Sequence, residues 1–242
     1  MGQTSAQLKV AVAGFLQRDP AVFLRSPDTD LLLNACNNAR LYAERRVDFE
    51  LAVTQVHIPG MTLNEGGSLL SAVLASDDTT PVAIKKIRTP YIPLHHPGHY
   101  FPVCLTSKKK WDDRIKVRWE GAHPHDRADF AYLTDSPFEV VQSGNSVFIA
   151  PPNARMYNAG TLTIAADVIA WLPRYVDGTE EDFLLDFCFD WLTYRAVQEL
   201  NFYLKEDERV QISASFVKEA WDALVIWNNE LQASAVDDTN LD

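Results

Sequence analysis

The chain has 242 residues, of which 47% are hydrophobic and 23% charged, and this balance excludes a protein that is disordered throughout. Its formal net charge of −11 is unevenly distributed. From Thr179 to Asp242 there are fifteen acidic and four basic residues, whereas from Lys85 to Arg127 there are ten basic and four acidic ones. This asymmetry favours association with a complementary surface or another copy of the chain. The alternative is two solvated faces that keep the protein soluble.

The N-terminal part predicts two helices. A short helix is expected from about Thr4 to Leu16, followed by a break at Arg18-Asp19-Pro20. The segment Ser26-Pro27-Asp28-Thr29-Asp30 then offers capping oxygens and early acids. Apolar residues recur after it at steps of three and four as far as Val47, which predicts an amphipathic helix of about 20 residues.

The middle of the chain predicts short strands joined by turns. The firmest prediction is a tight hairpin, because two apolar runs flank Ser143-Gly144-Asn145. The predicted strands are Val53–Pro59, Leu69–Ala75, Val82–Ile87, Arg114–Trp119, Phe138–Gln142, Ser146–Ala150 and Thr161–Ile169.

The C-terminal part predicts two more long helices. One runs from Asp177 to Leu204, is apolar over much of its circumference, and begins with an approximate capping box of Thr179 and Asp182. The other is amphipathic and contains the three- and four-residue steps from Val217 to Leu231.

These elements predict an α+β protein. We expect the N- and C-terminal helices to pack together as a helical bundle, with an antiparallel, sandwich-like β-rich domain inserted between them. The predicted helical domain comprises residues 1–52 and 174–232, and the inserted domain comprises 53–173. Residues 233–242 form an acidic tail that we expect to be flexible, or to order only against a partner.

Metal binding and membrane insertion have little support in the sequence. His95, His96 and His99 lie close together, with His123 and His125 further on, but a loop rich in proline and glycine lacks HExxH-like spacing, so no metal site is predicted. The three cysteines, Cys36, Cys104 and Cys188, favour neither a zinc site nor a disulfide framework. No run of about eighteen apolar residues and no convincing signal peptide is present, so neither a membrane span nor secretion is expected.

Catalysis also lacks a recognisable motif. Asp186, Asp190 and Glu199 share one predicted helix with Arg195, where ordinary structural ion pairs are the simpler interpretation than acid–base catalysis. The chain has no G-x-S-x-G, Walker or G-x-G-x-x-G pattern. We therefore expect a protein that is not an enzyme and has no cofactor.

A cationic segment in the middle of the chain leaves nonspecific contact with nucleic acid open. Lys108-Lys109-Lys110-Trp111 precedes a predicted strand that presents Arg114, Lys116 and Arg118 on one face. Cations beside an aromatic residue suit nonspecific proximity to packaged DNA. The alternative is a solvated strand edge, on which lysines prevent aberrant pairing.

The order of these segments resembles the head-to-tail connector proteins of tailed bacteriophages. The resemblance rests on the helix Leu31–Glu50, the hairpin ending in Phe148-Ile149-Ala150-Pro151-Pro152, and Trp171-Leu172-Pro173 leading into the helix Asp177–Leu204. It implies a structural adaptor in the virion neck, synthesised in the host cytoplasm. It further implies a ring of twelve copies that binds the portal protein on one side and a downstream tail or neck protein on the other.

Two other functions stay open at this point. One is a ligand- or receptor-binding virion protein whose β domain carries recognition. The other is a hydrolase that uses the histidine loop. Stoichiometric metal binding, with loss of activity in His96→Ala and His99→Ala, would be needed to support the hydrolase.

Overall fold

A computed structural model describes residues 2–26, 29–61, 68–69, 74–75, 81–93, 100–105, 107, 109, 138–143, 146–150, 162–204 and 208–238. It shows a mixed α+β protein. The described residues divide into two compact units. A helical unit comprises Met1–Leu51 and Leu172–Asp242, and a β-rich unit comprises Ala52–Trp171.

The described part of the helical unit contains five α-helices and a short hairpin. The helices are α1 (Ser5–Phe15), α2 (Leu31–Arg46), α3 (Phe183–Phe187), α4 (Phe189–Glu199) and α5 (Glu208–Asp238). The hairpin strands are β1 (Leu24–Ser26) and β2 (Thr29–Asp30), which pair antiparallel.

The two N-terminal helices follow the sequence pattern closely. Thr4 caps α1 in a capping box, in which its hydroxyl accepts from the Gln7 backbone N–H and the Gln7 side chain accepts from the Thr4 N–H. Asp30 caps α2 through the Leu33 N–H at 3.1 Å. Helix α2 has 16 residues, fewer than the pattern predicted, and β1 and β2 occupy the segment before it.

The prediction of one helix from Asp177 to Leu204 is wrong. Two helices, α3 and α4, meet at Cys188, whose backbone leaves the helical region at φ −129° and ψ 22°. The cap of α3 is Asp182, while Thr179 donates to Asp177 in the preceding loop. Periodicity does not detect this break, because Cys188 keeps its apolar place in the pattern while its backbone changes direction.

The last helix is longer than the sequence predicted. Helix α5 has 31 residues and continues to Asp238, so residues 233–238, which the sequence placed in a flexible acidic tail, are helical in the structure. Residues 239–242 lie outside the described part.

The β-rich unit contains one described sheet. Its strands are β3 (Val53–Met61), β4 (Ser68–Leu69), β5 (Leu74–Ala75), β6 (Ile84–Pro93), β7 (Tyr100–Leu105), β8 (Phe138–Ser143), β9 (Ser146–Ala150) and β10 (Leu162–Ala170). In the described residues their order is β4-β9-β8-β7-β6-β10-β3-β5. Strand β10 pairs antiparallel with both β3 and β6, and it is apolar on both faces, with Ile164, Ala165, Ala166 and Val168 all buried.

The hairpin prediction is confirmed, since β8 and β9 pair antiparallel with Val140 opposite Ile149. The expectation of a purely antiparallel insertion is wrong, because β7 runs parallel to β8. Strand β7 itself was not predicted. The predicted strand Arg114–Trp119 lies outside the described residues.

A buried polar network holds helix α2 to the segment where the chain returns from the β-rich unit. Arg40 and Glu44 are buried, with Nη1 and Oε2 2.9 Å apart. The Leu172 carbonyl accepts from Arg40 at 2.6 Å, and the Leu172 N–H donates to Glu44 at 2.6 Å. One turn earlier, the Asn37 side chain donates to the Tyr175 carbonyl and accepts from the Tyr175 N–H, both at 2.9 Å. Buried charges therefore receive partners from the backbone of 172–175.

Removing one half of the buried pair tests this network. We expect Glu44→Ala to lower the free energy of unfolding by about 3–5 kcal/mol, because Arg40 is left as an uncompensated buried charge. Urea unfolding followed by circular dichroism measures the loss. Arg45→Ala, at an exposed position on the same helix, is the control and should change stability by about 0.5 kcal/mol or less. Equal effects of the two substitutions would contradict the role of the pair.

A matched pair of glycines tests the contact between α1 and the loop before α3. Gly178 has φ +93°, and a Cβ there would lie 3.1 Å from the Ala6 Cβ. We expect Gly178→Ala to lower the free energy of unfolding by about 1–2 kcal/mol. Gly14→Ala has open space around the new methyl group and should raise it by up to about 1 kcal/mol, because alanine is the better helix former. Thermal unfolding of both variants measures the difference in sign.

Candidate interaction surface

The N-terminal residues pack against the loop that precedes α3. The Gln3 N–H donates to Asp186 Oδ1 and the Ser5 N–H to the Glu180 carbonyl, both at 3.0 Å. The Ser5 hydroxyl donates to Glu180 Oε2 at 2.5 Å. These contacts fix the start of α1 beside the helix that carries Asp186.

Glu180 organises the same loop through its carboxylate. It accepts the backbone N–H groups of Val176, Asp177 and Gly178. Burial by itself would raise the pKa of Glu180, but the hydrogen bonds from the Ser5 hydroxyl and the loop backbone outweigh it and hold the pKa at about 2. The charged carboxylate therefore stabilises the loop at neutral pH.

A buried hydrogen bond connects this loop to the helix that follows. The Tyr175 hydroxyl donates to Asp182 Oδ2 at 2.9 Å, and Asp182 Oδ1 accepts the Leu185 N–H at the start of α3. Burial raises the pKa of Asp182 and, more strongly, that of Tyr175. Hydrogen bonds to Asp182 therefore fix both ends of the loop that runs from Tyr175 to the start of α3.

An apolar groove lies between the α3–α4 junction and α5. We call it the groove, and its volume is about 520 Å³. Its lining residues are Gln3, Asp186, Phe187, Cys188, Phe189, Asp190, Trp191, Ala220, Ala223, Leu224 and Trp227. Open sites of this size and apolar character are typical of binding surfaces.

Two stacked aromatic side chains form one wall of the groove. Phe187 is 63% exposed and stacks on Trp227, with ring centroids 5.1 Å apart. Trp191, by contrast, is buried and lies with its ring centroid 5.2 Å from that of Trp221. Within the described part of the chain its indole N–H has no hydrogen-bond partner.

The charge of the groove is negative. Among the described residues that line it, only Asp186 and Asp190 carry a formal charge. Both side chains are exposed. An apolar channel flanked by two carboxylates suits a partner that presents an apolar side chain and cations together.

Helix α5 carries a second apolar face beside the groove. Six exposed residues recur at steps of four and three, and we call them the outer stripe. They are Ile212, Phe216, Glu219, Ala223, Ile226 and Glu230. Ile212 is 52% exposed and Ile226 59% exposed. Four of the six are apolar and the other two are acidic.

The opposite side of α5 provides its contact with the rest of the helical unit. Val210, Ser213, Leu224 and Asn228 are buried there. Asn228 donates to the Asp48 carbonyl at 3.1 Å and accepts the Glu50 N–H at 3.0 Å. The core therefore uses this face of α5. In the outer stripe, Phe216 stacks on Tyr194 of α4 with ring centroids 5.1 Å apart, whereas Ile212 and Ile226 are more than half exposed.

The acidic residues singled out in the sequence separate in the structure. Arg195 forms an ion pair with Glu199 on α4, as the sequence interpretation predicted. Asp190 also lies on α4, but Asp186 lies on α3, so the expectation that all four share one helix is wrong. Asp186 and Asp190 instead meet at the groove.

Several candidate residues lie outside the described part of the chain. They are His95, His96, His99, His123, His125, Lys108, Lys110, Trp111, Arg114, Lys116 and Arg118. The metal and nucleic-acid expectations for these residues stay predictions.

The described residues contain no group of three or more His, Cys, Asp or Glu side chains placed to hold a metal ion. Cys36, Cys104 and Cys188 are free thiols. Burial raises the pKa of both Cys36 and Cys188 to about 12, so these two stay protonated at neutral pH. Among the helices that the structure describes, none is long and apolar enough to cross a bilayer.

Sequence reasoning identified neither the groove nor the outer stripe. A signal for the stripe was present, because Ile212, Phe216, Ala223 and Ile226 already share a helical face by their spacing. The apolar residues from Val217 to Leu231 obscured it, since they formed the more regular pattern. The groove had no local signal, because it depends on the break at Cys188.

Comparison with known proteins assigns no family to this chain. No protein-family model matches it, and no curated protein matches it. The resemblance to connector proteins stays a prediction that rests on the order of the segments. The groove and the outer stripe are the surfaces from which a function can be argued.

Acid should weaken the loop around Glu180. Its pKa is about 2 in the folded protein, below its ordinary value of 4.5, so its stabilising effect is complete above pH 4.5 and is lost as the pH falls towards 2. We expect Glu180→Gln to unfold at a lower urea concentration at pH 7 and to lose less stability than wild type between pH 5 and pH 2. Urea midpoints across that range measure both effects. Glu181→Gln, at an exposed neighbouring position, is the control and should follow the wild-type curve.

Proposed function

We propose that this protein is a structural head-to-tail connector of a tailed-phage virion, an adaptor that assembles into a ring beneath the portal and joins the DNA-filled capsid to the tail. The observation that carries the proposal is the outer stripe of α5. Its Ile212 and Ile226 side chains are more than half exposed on a helix whose other face is already packed. Exposed apolar area on one side of a helix marks a site of interaction with another molecule.

The spacing of the outer stripe favours a partner that packs along the helix. Its members recur at steps of four and three over Ile212 to Glu230, which is the pattern by which one helix packs along another element. Scattered exposed apolar residues need no partner, but apolar residues that recur on one face of a helix favour a partner that covers them. Assembly supplies such a partner.

The separation of charge along the chain supports a ring in particular. The acidic part from Thr179 and the basic part from Lys85 to Arg127 carry opposite charge within one chain. Contacts between unlike surfaces are heterologous, and they close into a ring when each step rotates by a fixed fraction of a turn. Complementary charge also fixes the register of such contacts.

The remaining parts of the proposal come from the resemblance to connector proteins. They are a copy number of twelve, the portal as one partner, and a neck or tail protein as the other. The helical unit would then be a bundle and the β-rich unit a sandwich-like domain. Packaged DNA would lie close to the ring without specific recognition.

The mass of the purified protein tests assembly directly. We expect the wild-type protein to form a ring, alone or with purified portal protein, as measured by light scattering and electron microscopy. The double variant Ile212→Ser with Ile226→Ser should weaken association by on the order of 100-fold, because two half-exposed isoleucines no longer bury apolar area. Its helical content should stay unchanged.

Val10 and Val22 provide the matched control. They are 63% and 65% exposed and lie outside α5. Val10→Ser with Val22→Ser should leave the ring intact. A wild-type protein that stays monomeric at every concentration, with and without portal protein, would contradict the proposed function.

A further inference from the structure

The groove presents an aromatic surface that the helical unit does not cover. Phe187 is 63% exposed although it stacks on Trp227. An exposed aromatic ring beside a concave apolar wall is typical of sites that receive a large side chain from a partner. The volume of about 520 Å³ is sufficient for one such side chain and the backbone that carries it.

The carboxylates restrict what the partner can be. Asp186 and Asp190 flank the groove, and the described lining contains no cation. Two grooves of two copies facing each other would bring like charges together, which disfavours a symmetric contact. The groove therefore suits a segment in which an aromatic residue lies next to lysine or arginine, whose cations also interact well with exposed aromatic faces.

The chain itself contains a segment of this chemistry. We call Lys108-Lys109-Lys110-Trp111 the lysine–tryptophan segment. It belongs to the basic part of the sequence, whereas the groove belongs to the acidic part that carries the whole net charge of −11. We infer that the lysine–tryptophan segment of a neighbouring copy binds in the groove.

In this contact the Trp111 indole packs against the Phe187 and Trp227 rings, and the lysines lie near the two carboxylates. The contact is heterologous, because the groove of each copy receives the segment of the next. The inference rests on the proposed function, since it names the surfaces through which copies of the connector associate.

Reversing one groove charge tests the electrostatic part. We expect Asp190→Lys to weaken self-association of the full-length protein by about ten-fold or more, because a cation then faces three lysines. Asp222→Lys is the matched control. Asp222 is exposed on α5 outside the groove lining, so it changes the net charge equally and should leave association within about two-fold of wild type. Sedimentation velocity measures the self-association of the wild-type, Asp190→Lys and Asp222→Lys proteins.

Mixing experiments identify the partner segment. The triple variant Lys108→Glu, Lys109→Glu, Lys110→Glu should also fail to associate with itself. An equimolar mixture of this variant with Asp190→Lys should associate again, because the lysine introduced at position 190 then faces the glutamates of the triple variant, while the unchanged groove of the triple variant meets the three lysines of the Asp190→Lys protein. Restoration in the mixture, with none in either variant alone at the same total concentration, is the expected result.

A second set of variants tests the apolar contact between Trp111 and the aromatic rings of the groove. Phe187→Ala removes an exposed ring and leaves the fold intact, and Trp111→Ala removes the proposed anchor. Each should weaken association by about ten-fold, and the double variant should be no weaker than the stronger single one, since both remove the same contact. Additive losses would overturn the pairing of Trp111 with the groove.

The outcomes separate this inference from the proposed function. A wild-type ring that Asp190→Lys and Phe187→Ala leave unchanged would overturn the inference and leave the connector function standing. If Asp190→Lys and Phe187→Ala lost binding to purified portal protein while their self-association stayed unchanged, the groove would be assigned to the portal. That result would also overturn the inference. A wild-type protein with neither self-association nor portal binding would contradict both.

Discussion

Arg40 and Glu44 lie one turn apart on α2 with both charges removed from solvent, and desolvated charges persist only where other groups satisfy them. The backbone of Leu172 supplies one hydrogen bond to each side chain, because its carbonyl accepts from Arg40 and its N–H donates to Glu44. Asn37 repeats the arrangement at Tyr175. The returning chain is therefore held at one register along α2, and a slip by one residue would leave a buried charge without its partner.

The surface of the helical unit follows from that register. Tyr175 connects to Asp182 through its hydroxyl, and Asp182 in turn begins α3. Glu180 and the N-terminal residues hold the loop between them. Because the start of α3 is set in this way, the break at Cys188 places Phe187 in solvent beside Trp227. A network in the interior thus determines the shape of a groove at the surface.

Acidic and apolar side chains lie side by side on this surface. Asp186 and Asp190 flank apolar side chains in the groove, and Glu219 and Glu230 interrupt the outer stripe. Acids at these positions oppose symmetric self-contact and favour a basic partner.

The sequence by itself determined the local elements of this protein. Thr4 and Asp30 cap helices as their side-chain chemistry requires, and the β8–β9 hairpin follows from its turn residues. The tertiary structure alone decided the break at Cys188, the parallel pairing of β7 with β8, and the groove. The physical reason is that the periodicity of the sequence records only which side chains are apolar. Packing between distant segments decides which of two apolar faces on a helix such as α5 meets the core.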